Sequence, residues 1–193
     1  MVPGVPMSDT NQLLISLILY GLLPLWGITG FIDWCCHRAS AIEKTSGLKE
    51  SLTHSLMGIQ LGIPIFLGLF FRINVLILLI CLVVLLTHAL VAHWDVKYSA
   101  PLREISALET HVHSYMATIP LFLLSLIFVI NWEVVLKLVT FDWRGQFSLS
   151  PTPSLQLTSA YRRGYLIFMA VLCVFPYLEE NLRCLRVARG TRA

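Results

Sequence analysis

The sequence predicts an all-α integral membrane helical bundle of four to five transmembrane helices built from two helix-loop-helix repeats, and three observations carry that reading. The first is composition. Of the 193 residues 56% are hydrophobic and 13% charged, against about 25% charged in an ordinary soluble domain, and mean hydropathy is +0.75. The second is a series of uncharged apolar runs near the ~20 residues needed to cross a hydrocarbon core of about 30 Å. The third is an internal repeat. Laid over His93–Met116, the segment Asp33–Met57 aligns with one gap: Asp33-Trp34 over His93-Trp94, Ser46 over Ser106, Leu48 over Leu108 and Glu50 over Glu109. The register continues with His54-Ser55-x-Met57 over His113-Ser114-x-Met116.

The elements follow in chain order within a single transmembrane domain, 1–193. The first three spans are Leu13–Ile32, Leu52–Phe71 and Ile73–Ala92, none of which contains Asp, Glu, Lys or Arg. The first is too long for a signal-peptide apolar core and no Lys or Arg precedes it, so it is expected to stay in the mature chain. The fourth, Tyr115–Ile130, is shorter and is completed by the turn from Thr110 and by Asn131 and Trp132. The repeat units are therefore about 13–71 and 73–131. Residues 132–163 form a polar connection with Pro151 and Pro153, where Trp132 and Trp143 are expected to anchor at the headgroup level. A fifth membrane segment, 164–178, has an uncharged run from Tyr165 to Leu178 of only ~21 Å at 1.5 Å per residue. It lies between Arg162-Arg163 and Glu179-Glu180, is expected to cross, and leaves 179–193 as a basic tail. Five cysteines without CxxC spacing exclude a disulfide framework and a zinc knuckle.

The repeated polar connections, separated by an even number of spans, must lie on one side of the membrane. That side carries Arg38, Lys44, Lys49, Lys97 and Arg103, joined by Arg183, Arg186, Arg189 and Arg192 if the fifth segment crosses. The other side carries Arg72, Lys137, Arg144, Arg162 and Arg163. The positive-inside rule then makes the motif side cytoplasmic, in the inner (plasma) membrane if the source is bacterial. The basic tail reads as a topology determinant and a contact for membrane lipids. No nucleic-acid-binding pattern and no glycine-rich phosphate loop is present.

All six histidines fall inside Asp33–His54 and His88–His113. Asp33 with His37, Glu50 with His54, and Glu109 with His113 are spaced i,i+4, and His88 with Asp95 i,i+7, intervals that place both side chains on one helix face. The pairs close the first span, open the second, close the third and open the fourth, so they sit at one depth. A lone pair of this kind reads more readily as an ion pair, but ionisable groups at membrane depth are costly and tend to be functional, and four pairs in a duplicated context predict a metal site. The expected ligands are Asp33, His37, Glu50, His54, His88, His93, Asp95, Glu109 and His113, with Arg38 and Arg103 holding carboxylates in place. His111 lies off the Glu109/His113 face. Glu43 and Glu104 read as solvated loop charges, and Trp34, Trp94, Tyr98 and Tyr115 as interfacial aromatics. Mixed carboxylate and imidazole donors suit two iron ions, with manganese or zinc as alternatives.

Asp33-x-x-x-His37, Glu50-x-x-x-His54, His88 to Asp95 and Glu109-x-His111-x-His113 resemble the carboxylate and histidine boxes of membrane-bound di-iron oxidases, hydroxylases and desaturases. The likeness covers roughly residues 30–116, and the HxxxH and HxxHH boxes of desaturases and hydroxylases are absent from it. It implies a non-haem oxidoreductase that activates dioxygen and acts on a lipid or lipid-soluble substrate, supplied with electrons by a separate donor. Two alternatives use the same ligands: a zinc-dependent membrane lipid hydrolase, resembling alkaline ceramidases and assisted by Ser51 or Ser55, and a metal-ion carrier or sensor.

Overall fold

The computed structural model describes residues 9–151 and 158–190, all in helices and connections with no strand among them. Five helices are long and apolar enough to cross a membrane: α1 (Asp9–Ala39), α2 (Gly47–Phe70), α3 (Val75–Ser99), α4 (Ala107–Ile130) and α6 (Ser159–Gly190). A short helix α5 (Trp132–Val139) follows α4 at the opposite end from the histidines. The chain is thus an all-α multi-pass bundle, as its composition predicts. Leu13, Leu86, Leu90, Phe122, Val129 and Ile167 are among many large apolar side chains that face outward, which is stable only where lipid covers them.

Every long helix extends past its uncharged run, because the polar residues at the motif end are helical too. α1 continues to Ala39 through Asp33 and His37, and α3 to Ser99 through Asp95. Local signals start the partners. Ser106 caps α4 by accepting from the Glu109 backbone N–H at 3.2 Å, half of a capping box. Gly47, at φ 69°, opens α2 in the left-handed region that glycine tolerates best. Glu50 and Glu109 thereby fall in the first turns of α2 and α4, where the helix dipole favours negative charge.

The largest departure from the expected organisation is at the C-terminal end. The fifth segment is not a 14-residue crossing with a basic tail but one helix of 32 residues, ~48 Å long at 1.5 Å per residue. Glu179 and Glu180 sit inside it, and the stretch read as a tail is helical through Gly190; residues 191–193 lie outside the described range. The connection after α4 is likewise partly ordered as α5, whose Val135 packs against Ile77 and Leu78.

The apolar core runs through the middle of the bundle. Ile15, Ile18, Leu19, Leu23, Leu69 and Tyr165 form its outer part and Trp26, Leu61 and Ile119 its inner part. Two π turns, Leu17–Leu22 in α1 and Ala170–Val174 in α6, interrupt the α-helical ladder. Tyr161 donates its hydroxyl to Leu19 O at 2.5 Å, which satisfies a carbonyl in the widened turn, as a membrane interior requires.

Candidate metal centre

At the motif end four helices deliver acid and imidazole groups to one buried volume. Asp33 and His37 come from α1, Glu50 and His54 from α2, Asp95 from α3, and Glu109 and His113 from α4. His113 alone among them is partly exposed. His37 Nε2 lies 3.5 Å from Asp33 Oδ2 and 3.5 Å from Glu109 Oε1, and His113 Nε2 lies 3.0 Å from Asp33 Oδ1. On the other side His54 Nε2 lies 3.3 Å from Asp95 Oδ2 and 3.8 Å from Glu50 Oε1. The His37 and His54 rings stack at 4.3 Å with 13° between their planes.

Two sets of donors have ligand atoms within 4.8 Å of one another: Asp33, His37, Glu109 and His113, and His37, Glu50 and His54. The first is made by α1 and α4; the second centres on α2, with Asp95 of α3 beside it. The sequence repeat superposes α1 on α3 and α2 on α4, and exchanging the repeats carries Glu50 and His54 onto Glu109 and His113, whereas Asp33 falls on the exposed His93 and Asp95 on Cys35. The symmetry is incomplete, since the register of His37 falls on the exposed Lys97.

The most informative residue is one the sequence reading did not place in the site. Glu180 of α6 accepts from His37 Nδ1 at 3.1 Å through Oε2 and from His54 Nδ1 at 3.0 Å through Oε1. Ionised carboxylates only accept, so each imidazole presents N–H to Glu180 at Nδ1 and turns Nε2 toward Asp33, Glu109, Glu50 and Asp95. This is the outer support that metal-ligating histidines ordinarily have.

Arg103, in the connection before α4, is the second organiser. Its Nη2 donates to Glu50 Oε1 at 2.6 Å and to Glu109 Oε1 at 2.5 Å, its Nη1 to Glu109 Oε2 at 3.0 Å and its Nε to Glu50 at 3.1 and 3.2 Å. Burial works against its charge, yet its hydrogen bonds to Glu109 and Glu50 and their negative charge outweigh that and raise its pKa. The guanidinium therefore bonds one carboxylate from each repeat.

Other expected members are elsewhere. His88 belongs to neither donor set: seven residues before Asp95, it shares Asp95's face but lies ~10 Å deeper along α3. His93, two residues from Asp95, is exposed and belongs to neither donor set, although it lines the cavity beside the cluster. Arg38 reaches no carboxylate of the cluster; it is exposed and donates to Glu179 at 2.8 Å. Glu43 is not a free loop charge, because it pairs with Arg183. His111 is exposed and bonds Ala107 O at 2.7 Å.

The donors fit a metal by two observations. Asp95 Oδ1 is buried without a hydrogen-bond partner among the described residues, and a buried polar atom left so costs about 1–3 kcal/mol; Asp33 Oδ1 and His37 Nε2 face ion-pair partners instead, at 3.0 and 3.5 Å. Five carboxylates, Asp33, Glu50, Asp95, Glu109 and Glu180, are buried alongside Arg103, the only buried guanidinium or ammonium among the described residues. Even with His37, His54 and His113 all protonated the anions stay in excess. Two divalent cations with neutral imidazoles bring the cluster to neutrality.

Beside the cluster lies a cavity of about 400 Å³ that includes Asp33, His54, Asp95 and His113 in its lining, within the ~300–1,000 Å³ range of small-molecule sites. Its remaining wall is mostly apolar. Ala89 and Ala92 of α3 and Ala117 of α4 are part of its lining, and Ala89 and Ala117 are exposed. Compared with known protein families, curated proteins and solved structures, the chain matches none.

Proposed function

We propose that this chain is an integral-membrane, non-haem di-iron-type oxidoreductase acting on a lipid or lipid-soluble substrate. The observation that carries the reading is the Glu180 clamp, which fixes the tautomer of His37 and His54 so that both Nε2 atoms face a surplus of buried carboxylate. Asp33, His37, Glu109 and His113 would hold one ion, and Glu50, His54 and Asp95 the other. Bound iron would supply the redox chemistry with dioxygen. Manganese is the alternative for the same donors, since cysteine takes no part: Cys35 is exposed and lies outside both donor sets.

The chain's own groups have defined tasks in this reading. The four ligating carboxylates balance the ions' charge, Glu180 orients two imidazoles, and Arg103 keeps Glu50 and Glu109 from swinging away. The cavity receives an apolar substrate from the bilayer and keeps water from the reacting position. Electrons come from a separate donor, which docks on the cytoplasmic side by the distribution of Lys and Arg. The zinc hydrolase reading draws less support. Ser51, its candidate assistant, donates to Asn181 at 2.8 Å, and Ser55 accepts from the same residue at 2.7 Å, so both face α6.

The test is metal quantification with Mössbauer and electron paramagnetic resonance spectroscopy on detergent-purified protein. Two antiferromagnetically coupled irons per chain are expected. One tight zinc would favour the hydrolase, weak exchangeable binding a carrier, and a metal-free preparation that cannot be loaded would overturn the proposal.

A further inference from the structure

The mid-membrane wall of the cavity holds two polar groups that the metal cluster does not use. His88 is 8% exposed, and its Nδ1 has no hydrogen-bond partner among the described residues; Trp26 is 5% exposed, and its indole Nε1 has none among them either. Both line the cavity that reaches Asp33 and Asp95. They lie at one depth. Trp26 is seven residues before Asp33 on α1, and His88 seven residues before Asp95 on α3, so each lies two turns, ~10 Å, deeper than the cluster. Leu61, seven residues after His54 on α2, marks the same depth and is apolar.

Two unpartnered polar atoms in an apolar wall are expensive unless something else satisfies them. A water there would need two to four polar partners, and at this depth the lining otherwise consists of residues such as Leu61 and Leu85. The chemistry of the pair defines what would fit. Indole N–H only donates, and imidazole donates from one nitrogen and accepts at the other. The complementary chemistry is therefore that of oxygen, one that accepts from Trp26 or one that accepts from or donates to His88, in either case a carbonyl or a hydroxyl.

We infer that Trp26 and His88 form a recognition site for a substrate oxygen, so that the substrate is an amphiphile whose carbonyl or hydroxyl lies ~10 Å from the position presented to the metal cluster. The intervening wall, with Met57 from α2 and Met116 from α4, takes an apolar stretch, and thioether side chains adapt to its shape. The location of the reacting position rests on the metalloenzyme reading; the oxygen-recognition site does not. His88 is on this account a specificity residue and no metal ligand.

The test uses the full chain in lipid nanodiscs with two photoreactive probes of equal length: a diazirine-bearing long-chain alcohol and the matching alkane. Labelled peptides are mapped, and metal content is measured on the same samples. Wild type should label in the Met57 and Met116 segments with about a tenfold preference for the alcohol, the scale of one or two satisfied buried hydrogen bonds. His88→Leu and Trp26→Phe should each lose most of that preference and keep alkane labelling and metal content, which a misfolded variant would not. His88→Gln should retain part of the preference. Equal labelling by the two probes in wild type, a preference that survives in His88→Leu, or metal loss in His88→Leu would overturn the inference. Wild type that prefers the alcohol but binds no metal would support the oxygen site and overturn the metalloenzyme reading.

Discussion

Glu180 and Arg103 do for the cluster what its ligands cannot do for themselves, which is to hold their orientation. Replacing Glu180 with Gln keeps the volume but puts an NH2 donor where one carboxylate oxygen accepted, so the imidazole facing it must accept at Nδ1 and carry its proton on Nε2, the nitrogen turned toward the other carboxylates. Metal affinity should fall about 10- to 100-fold, the usual effect of removing such a support, measurable by competition with a chromogenic chelator. An unchanged affinity would show that Glu180 only packs. Arg103→Met should act on stability as well, since it strands Glu50 and Glu109; breaking a buried pair costs about 3–5 kcal/mol, and bound metal should recover part of the lost thermal stability. At this scale the sequence was informative where side chains repeat with helical spacing, as in Glu50/His54 and Glu109/His113. It was silent on Glu180, because two acids after an apolar run look like a membrane boundary. Spacing also overcounted: His88 and Asp95 share a face, but i,i+7 separates them by two turns.

At the scale of elements, α6 is the helix that turns four paired ends into a closed site. Its polar half was hidden because hydropathy ends at Leu178, whereas the fold gives Glu180 hydrogen bonds from His37 and His54 and ties Glu179 to Trp34, Arg38 and Arg183. A helix can continue past an apolar run when its charges find partners in neighbouring helices. The seat of α6 on α2 depends on Gly58, where an added Cβ would come within 2.5 Å of Tyr177 Cε2. Gly58→Val should therefore push Tyr177 away from α2 and destabilise the bundle by about 1–3 kcal/mol, the range for overpacking. Because Tyr177 also lines the site cavity, the same substitution should weaken metal retention. A thermal unfolding midpoint and metal content both equal to wild type would show that α6 docks without this contact. The five helices themselves were legible, their apolar lengths being set by bilayer thickness; their polar ends were not, being set by partners.

For the whole molecule, the joining of α6 to the ends of α1 and α2 decides topology. His37 closes α1, His54 opens α2, and both bond Glu180, so the C-terminal end of α6 is on the motif side of the membrane. Arg183, Arg186 and Arg189 therefore count with Arg38, Lys44, Lys49, Lys97 and Arg103, against Arg72, Lys137, Arg144, Arg162 and Arg163 on the other side. This is a clear excess for a rule that weighs Lys and Arg near span ends, and it predicts that the cluster and the chain's C-terminal end face the cytoplasm together. Cys35, exposed near the motif end of α1, reports the same side independently. A membrane-impermeant maleimide should label Cys35 in inside-out vesicles and leave it unlabelled in intact cells, with Cys35→Ser as the blank. A C-terminal green fluorescent protein fusion should fluoresce. If label and fusion disagree, α6 does not cross, and Glu180 cannot reach His37 and His54; the clamp, and the metal site that depends on it, would fall with the topology.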